Sequence, residues 1–257
     1  MSEANSDAGA GGAVAATPPA AAAPPALAPA VRRPREGMRV MLGLSAGHSI
    51  QHFYQQTLLL LLPHIKAELL LSDPAMGAIM TVRSIGSGVM NVPAGILADM
   101  FRRRVALLLT VSMSCLTLGY LFVGIAPRYW LILLAITLAG AGTSMWHAPS
   151  FSTLSARYPD RRGLALALHR SGGSIGDTIA PVVVGLLLGG VSFWGLNWGG
   201  FSWRTVALLH VGPSALTGLL IIATFKSGAV AAPGRVSLKE YALSALPLLK
   251  NPRVMGI

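Results

Sequence analysis

Between Val40 and Lys226 the chain is a series of long apolar stretches, interrupted by short clusters of charge, proline and glycine rather than by strict alternation. About 20 consecutive apolar residues in helix cross a bilayer, and a backbone in hydrocarbon must pair its polar groups within its own segment. The pattern therefore predicts an all-α integral membrane protein. Six transmembrane helices are expected, at residues 40–66, 74–99, 104–126, 130–156, 163–190 and 204–226. Ser72 followed by Asp73-Pro74 is a start signal for the second. The connection from Gly190 to Trp203 holds Trp194, Trp198 and Trp203 among glycines, which suits an aromatic belt at the membrane surface.

Composition agrees with lipid as the solvent. Only 11% of the 257 residues are charged and 53% are hydrophobic, whereas a soluble domain carries about a quarter charged residues. From Met38 to Val236 the acidic residues are Glu68, Asp73, Asp99, Asp160 and Asp177. The net charge of +11 invites a nucleic-acid reading, but the basic residues lie between apolar spans rather than in a patch, so no nucleic-acid partner is expected. Cys115 stands alone, so no internal disulfide forms.

Residues 1–36 are rich in Ala and Pro and end in Arg32-Arg33-Pro34-Arg35; they read as a disordered tail, not as a cleaved signal, because the positive charge follows the apolar stretch. Residues 37–226 form the membrane bundle. Residues 227–257 read as a loop with an amphipathic surface helix around Leu238, Tyr241, Leu243, Leu246 and Leu249, leading toward the start of a missing second half.

Basic residues in short loops stay cytoplasmic. Arg32, Arg33, Arg35 and Arg39, Arg102 to Arg104, Arg157, Arg161 and Arg162, and Lys226, Arg235, Lys239, Lys250 and Arg253 fall on one side. Lys66, Arg128 and Arg204 fall on the other. That division predicts a multi-pass protein of the cell inner (plasma) membrane with both ends cytoplasmic.

Arg83 and Arg170 remain, and both fall inside predicted spans, as does Asp177. An ionisable group at that depth is costly, so it faces a partner or a watery cavity. Two arginines against one carboxylate leave positive charge over, and the planar guanidinium suits a carboxylate or phosphonate. The alternative is a structural ion pair of Asp177 with Arg83 or Arg170. His48, His52 and Gln55 recur at i, i+4 and i+7 with Gln51 nearby, giving the first helix one polar stripe. His147 precedes Pro149 in a stretch loosened by Gly140 and Gly142. Candidate substrate-binding residues are thus Arg83, Arg170, His52, Gln55 and His147, and candidate proton carriers are Asp177, His48 and His52. His64, His169 and His210 read as structural or interfacial. His48 and His52 lack a third ligand, so no metal site is expected. Gly172-Gly173-Ser174-Ile175-Gly176 lacks the Gly-Lys-Ser/Thr ending of a phosphate loop, and no cofactor is expected. Gly86, Gly88, Gly95, Gly172, Gly173, Gly176, Gly185 and Gly189 are expected to let helices approach closely.

Gly95-Ile96-Leu97-Ala98-Asp99-Met100-Phe101-Arg102-Arg103-Arg104, between the second and third helices, resembles the signature loop Gly-x-Leu-Ala-Asp-Arg-x-Gly-Arg-Arg of the major facilitator superfamily. Met100 and Arg102 depart from it. The resemblance implies the N-terminal six-helix half of a secondary transporter working by alternating access on a small-molecule substrate, with a second six-helix half as partner. It also implies a conformational latch of Gly95 and Asp99 with Arg103 and Arg104 as the basic partners. His52-Phe53, Trp146-His147-Ala148-Pro149 and the stretch from Gly163 to Pro181 are similar to the fosmidomycin-resistance group within that family. Where that group commonly places an acid after the first-helix histidine, this chain has Gln55 and Gln56. Other classes weigh less: an intramembrane protease needs a serine with a histidine partner that Ser87 and Ser174 lack, and a receptor or assembly subunit would show no flux.

Overall fold

The structure, a computed structural model, describes residues 34–225 together with Lys239, Leu243 and Pro247. The predicted tail up to residue 33 lies outside the described residues, as does the surface helix apart from those three positions. The helices are α1 (Pro34–Leu69), α2 (Asp73–Met100), α3 (Val105–Ile125), α4 (Tyr129–Arg157), α5 (Arg162–Gly189), α6 (Trp203–Leu209) and α7 (Val211–Thr224). A short hairpin of β1 (Val191–Phe193) and β2 (Leu196–Trp198) joins α5 to α6.

Two expectations need correction, and one connection gains a definite shape. The first helix begins at Pro34, inside the stretch assigned to the tail, since proline's preset φ and missing N–H suit a helical start. The sixth span is two helices. Pro213 has no N–H for the Leu209 carbonyl four residues back, and at the break the His210 carbonyl accepts from the Tyr54 hydroxyl and from Ser214 Oγ at 2.9 Å besides the Ser214 N–H at 3.4 Å. The Trp- and Gly-rich connection before it folds as a hairpin: Trp194 and Gly195 both have positive φ, at 47° and 82°, the geometry of a tight type I′ turn.

Four segments, Arg102–Ile125, Tyr129–Arg157, Pro159–Gly189 and Trp203–Thr224, are long and apolar enough to cross a membrane. The other two helices, α1 and α2, are 36 and 28 residues long and more polar. Their polar side chains turn inward: Gln51 Nε2 donates to Ser112 Oγ of α3 at 2.9 Å, and Ser87 Oγ meets Ser144 Oγ of α4 at 2.8 Å. α1 packs along α5, α2 along α4, and α3 between α4 and α7.

The result inverts a soluble protein. Val89, Val92, Leu134, Val182 and Leu219 are more than half exposed on the outside, whereas His48, Gln51, Thr57, His169, His210 and Ser214 are buried. Such a surface fits lipid, and an interior that gathers the polar side chains fits a membrane bundle.

Close approach explains the glycines only in part. A Cβ at Gly176 would press on the Ser49 carbonyl and lie 2.9 Å from the Phe53 nitrogen, so α1 and α5 meet backbone to backbone there. Gly86 meets the Thr137 carbonyl of α4 and Gly172 that of Ser45 in the same way. Gly88, Gly95, Gly185 and Gly189 instead face open space, so close packing is not what places glycine at those four.

At the end of the bundle away from the arginine loops, Glu68 ties three elements together. It accepts from Trp203 Nε1 at 2.6 Å and from Arg204 Nε at 2.9 Å, while Arg204 Nη1 also donates to the Ala126 carbonyl at 2.6 Å. The Arg204 hydrogen bond holds the Glu68 carboxyl below the usual carboxylate range. Lys66, paired with Asp73, does the same for that carboxyl.

Candidate functional site

Five of the sequence-predicted residues converge on one cavity. His48, His52, His147, Phe151, Arg170, Ser174 and Asp177 line a space of about 430 Å³ between α1, α4 and α5. His48 and His52 share a face of α1 at i, i+4. Arg170, Ser174 and Asp177 share a face of α5 at i, i+4 and i+7. Pro149 sits within α4 two residues past His147.

Asp177 is held on both oxygens. His52 Nδ1 faces its Oδ2 at 2.9 Å, and Gln56 Nε2 donates to its Oδ1 at 3.1 Å. A carboxylate only accepts, so His52 carries hydrogen on Nδ1 when Asp177 is ionised. Pro181, four residues on, removes the helical donor to the Asp177 carbonyl and leaves a second acceptor nearby. Neither Arg83 nor Arg170 pairs with this carboxylate, which corrects the alternative of an arginine–aspartate ion pair. Arg83 Nη2 donates to Gln55 Oε1 at 2.5 Å, and neither of those two lines the cavity. Arg170 makes no ion pair among the described residues.

His169, read from the sequence as structural or interfacial, is fully buried and does not line the cavity, but it backs the cavity histidines. Its ring stacks on that of His48, centroids 4.2 Å apart, and His48 also stands 4.5 Å from His52 and 5.2 Å from His147. His48 is only 4% exposed, and its Nδ1 and that of His147 are buried without a hydrogen-bond partner. The spacing of His169, Gly173 and Asp177 at i, i+4 and i+8 was the available signal. Gly173 makes room for the rings: a Cβ there would lie 2.9 Å from His52 Nε2 and 3.0 Å from His48 Nε2. Among the described residues, no three His, Cys, Asp or Glu side chains are arranged to hold a metal ion.

The other predicted residues lie elsewhere. His210 is buried near Tyr54 and Tyr120, with Nδ1 donating to the Val206 carbonyl at 2.7 Å and Nε2 facing Thr57 Oγ1 at 3.0 Å. In the signature loop Asp99 Oδ1 accepts from Arg102 Nη2 at 2.8 Å, so its cation among the described residues is the residue that departs from the signature. Arg103 and Arg104 are exposed and make no ion pair among the described residues, which corrects their assignment as its partners in this bundle.

Residues 44–256 match the profile of the Major Facilitator Superfamily. The chain belongs to that family. Its members are transporters, and the chain is accordingly a multi-pass membrane protein with the all-α architecture of a six-helix half. Curated relatives include the fosmidomycin resistance protein of Escherichia coli, 24% identical over 155 residues that cover 60% of this chain and 37% of that protein. The multidrug resistance protein Stp of Mycobacterium tuberculosis is 28% identical over 163 residues, covering 63% of this chain and 28% of that protein. The chain thus spans well under half the length of these relatives. Among solved structures, a bacterial homolog of the human lysosomal transporter Spinster, inward-facing and unoccupied, matches with a TM-score of 0.70 at 20% identity. That match covers 85% of this chain and 50% of the other.

Proposed function

We propose that this bundle is half of a proton-coupled secondary transporter that moves a small organic anion by alternating access, completed by a second six-helix half that closes the cavity. The observation carrying the reading is the division of charge in the cavity. Asp177 is engaged by His52 and Gln56, while Arg170 lines the same space with no anionic partner among the described residues. A guanidinium left over in a polar cavity inside a membrane bundle is a site for a carboxylate or phosphonate.

In this reading Arg170, His52 and His147 contact the substrate, and Asp177 with His48 and His52 holds the proton. Arg83 and Gln55 form a second polar pair that opens to substrate only when their mutual hydrogen bond breaks. Gly95, Asp99 and Arg102 form the latch, with Arg103 and Arg104 free to reach the other half. The bundle lies in the inner membrane with the arginine-rich loops in the cytoplasm, as the distribution of basic residues supports. A pH difference of one unit then sustains about a tenfold solute gradient.

A second reading, export of a drug-like compound, is favoured by the relatives in E. coli and M. tuberculosis that are named for drug resistance. Thermal stabilisation of the purified protein by a panel of organic anions, cations and sugars tests the choice. The anion reading expects a response to organic anions that Arg170→Gln removes. A response to cations alone overturns it.

A further inference from the structure

We infer that the hairpin between α5 and α6 is a membrane anchor, seated in the headgroup layer opposite the arginine-rich loops with its apolar face on the acyl chains and its polar face toward water. This anchoring does not depend on what the cavity carries.

Antiparallel pairing gives the hairpin two unlike faces. Directly opposed residues point to the same side, and so do positions two apart. Val191 pairs with Trp198, so Val191, Phe193 and Trp198 form one face. Ser192 and Asn197 form the other, joined by Ser192 Oγ donating to Asn197 Oδ1 at 2.5 Å. None of these five side chains is buried. Phe201 extends the apolar face, its ring edge-on to that of Trp198 at 5.0 Å. A two-stranded hairpin exposed on both faces is marginal in water, so this one calls for a surface outside the bundle.

The tip keeps an aromatic side chain at a conformational cost. The first central position of a type I′ turn favours Asn, Asp or Gly, because φ is positive there. Trp194 occupies it at a φ of 47°, is 91% exposed, and lies parallel to the Phe193 ring at 5.5 Å. A bulky residue in left-handed backbone, with its ring outside the core, points to a use beyond this bundle.

Charge and depth identify that surface as lipid. Residues 178–203 contain no charged side chain, and uncharged Trp-rich segments collect at the membrane–water boundary. α5 is 28 residues long and rises about 42 Å, which matches a bilayer of about 40–45 Å with its headgroups. With Arg161 and Arg162 at one boundary, Gly189 reaches the other, and β1 follows after a single residue. Asp177 then lies about 18 Å below Gly189, near the centre of the hydrocarbon. Val182 and Leu186 carry the exposed apolar surface along the last turns of α5 up to the hairpin.

Nitroxide labelling of the purified full chain in phosphatidylcholine vesicles tests the anchor, in a Cys115→Ser background. Power saturation at Val191→Cys, on the apolar face, is expected to show oxygen access, relative to a water-soluble nickel chelate, several-fold higher than at Asn197→Cys on the polar face. Equal ratios at the two positions, or nickel access dominating at both, overturn the anchor. Exclusion of both reagents at Val191→Cys means that protein covers this face, as a second copy or the other six-helix half would, and overturns it as well. If either variant fails to fold, the emission removed by Trp194→Phe carries the same test. Lipids brominated near the tops of their acyl chains should quench that emission more than iodide in the water does, and the reverse order overturns the anchor.

Discussion

His52 of α1 and Asp177 of α5 meet at 2.9 Å inside the bundle, with Gln56 on the second carboxylate oxygen at 3.1 Å. The fosmidomycin-resistance resemblance leads one to expect an acid on α1 shortly after the histidine. Here the carboxylate is presented to the same histidine from α5. Reconstituted Asp177→Asn protein is expected to lose proton-driven accumulation by at least about tenfold while retaining solute exchange, because the exchange step needs no net proton movement. Unchanged accumulation in vesicles removes Asp177 from the coupling site.

Gly173 gives a sharper test of the cavity's shape. Its missing Cβ is what keeps the rings of His48 and His52 in place, so Gly173→Ala should cost about 1–3 kcal/mol of stability through overpacking and reduce substrate binding. Gly88→Ala, at a position facing open space, should change the melting temperature little. Equal effects from the two substitutions would mean the rings shift freely.

The signature loop can be tested through its departure from the family pattern. Arg102 is the cation on Asp99 at 2.8 Å, so Arg102→Ala should slow transport about as much as Asp99→Asn, and Arg103→Ala should slow it less. Initial rates of flux separate the three. A dominant effect of Arg103 would place its partner in the second half rather than in this bundle.

The end opposite the arginine loops carries a pH-dependent brace. Arg204, chiefly, holds the Glu68 carboxyl below its usual range, with Trp203 assisting. A depressed carboxylate contributes stability that is present above the unfolded-state pKa, about 4.3 for Glu, and lost as pH falls through the folded value. Wild-type protein should therefore melt at higher temperature than Glu68→Gln at neutral pH, and the two melting curves should converge in acid. A constant difference across that range would exclude titration of Glu68 as the cause.

Most of the architecture was legible because lipid imposes a one-dimensional rule. A helix in hydrocarbon needs a run of apolar residues, so the spans could be read to within a few residues apart from the start of α1. The same rule singled out Arg83, Arg170 and Asp177 as charges at membrane depth. What escaped were features set by a partner across space. His169 looked peripheral along the chain, yet the backbone approach at Gly172 and Gly176 brings α5 close enough for its ring to stack on His48. The break at His210 follows from Pro213 together with the Tyr54 hydroxyl from another helix.

By itself, then, the sequence determined the solvent, the helical class, the approximate spans and the short list of costly polar side chains, all consequences of the free energy of placing each residue in hydrocarbon. Only the tertiary structure decided who pairs with whom. Gln55 and Gln56 are neighbours in the chain, but a helix turns them about 100° apart, one to Arg83 and the other to Asp177. Among the described residues Arg170 makes no ion pair while His52 and Gln56 hold the Asp177 carboxylate, and that arrangement depends on helix packing, which no single segment encodes.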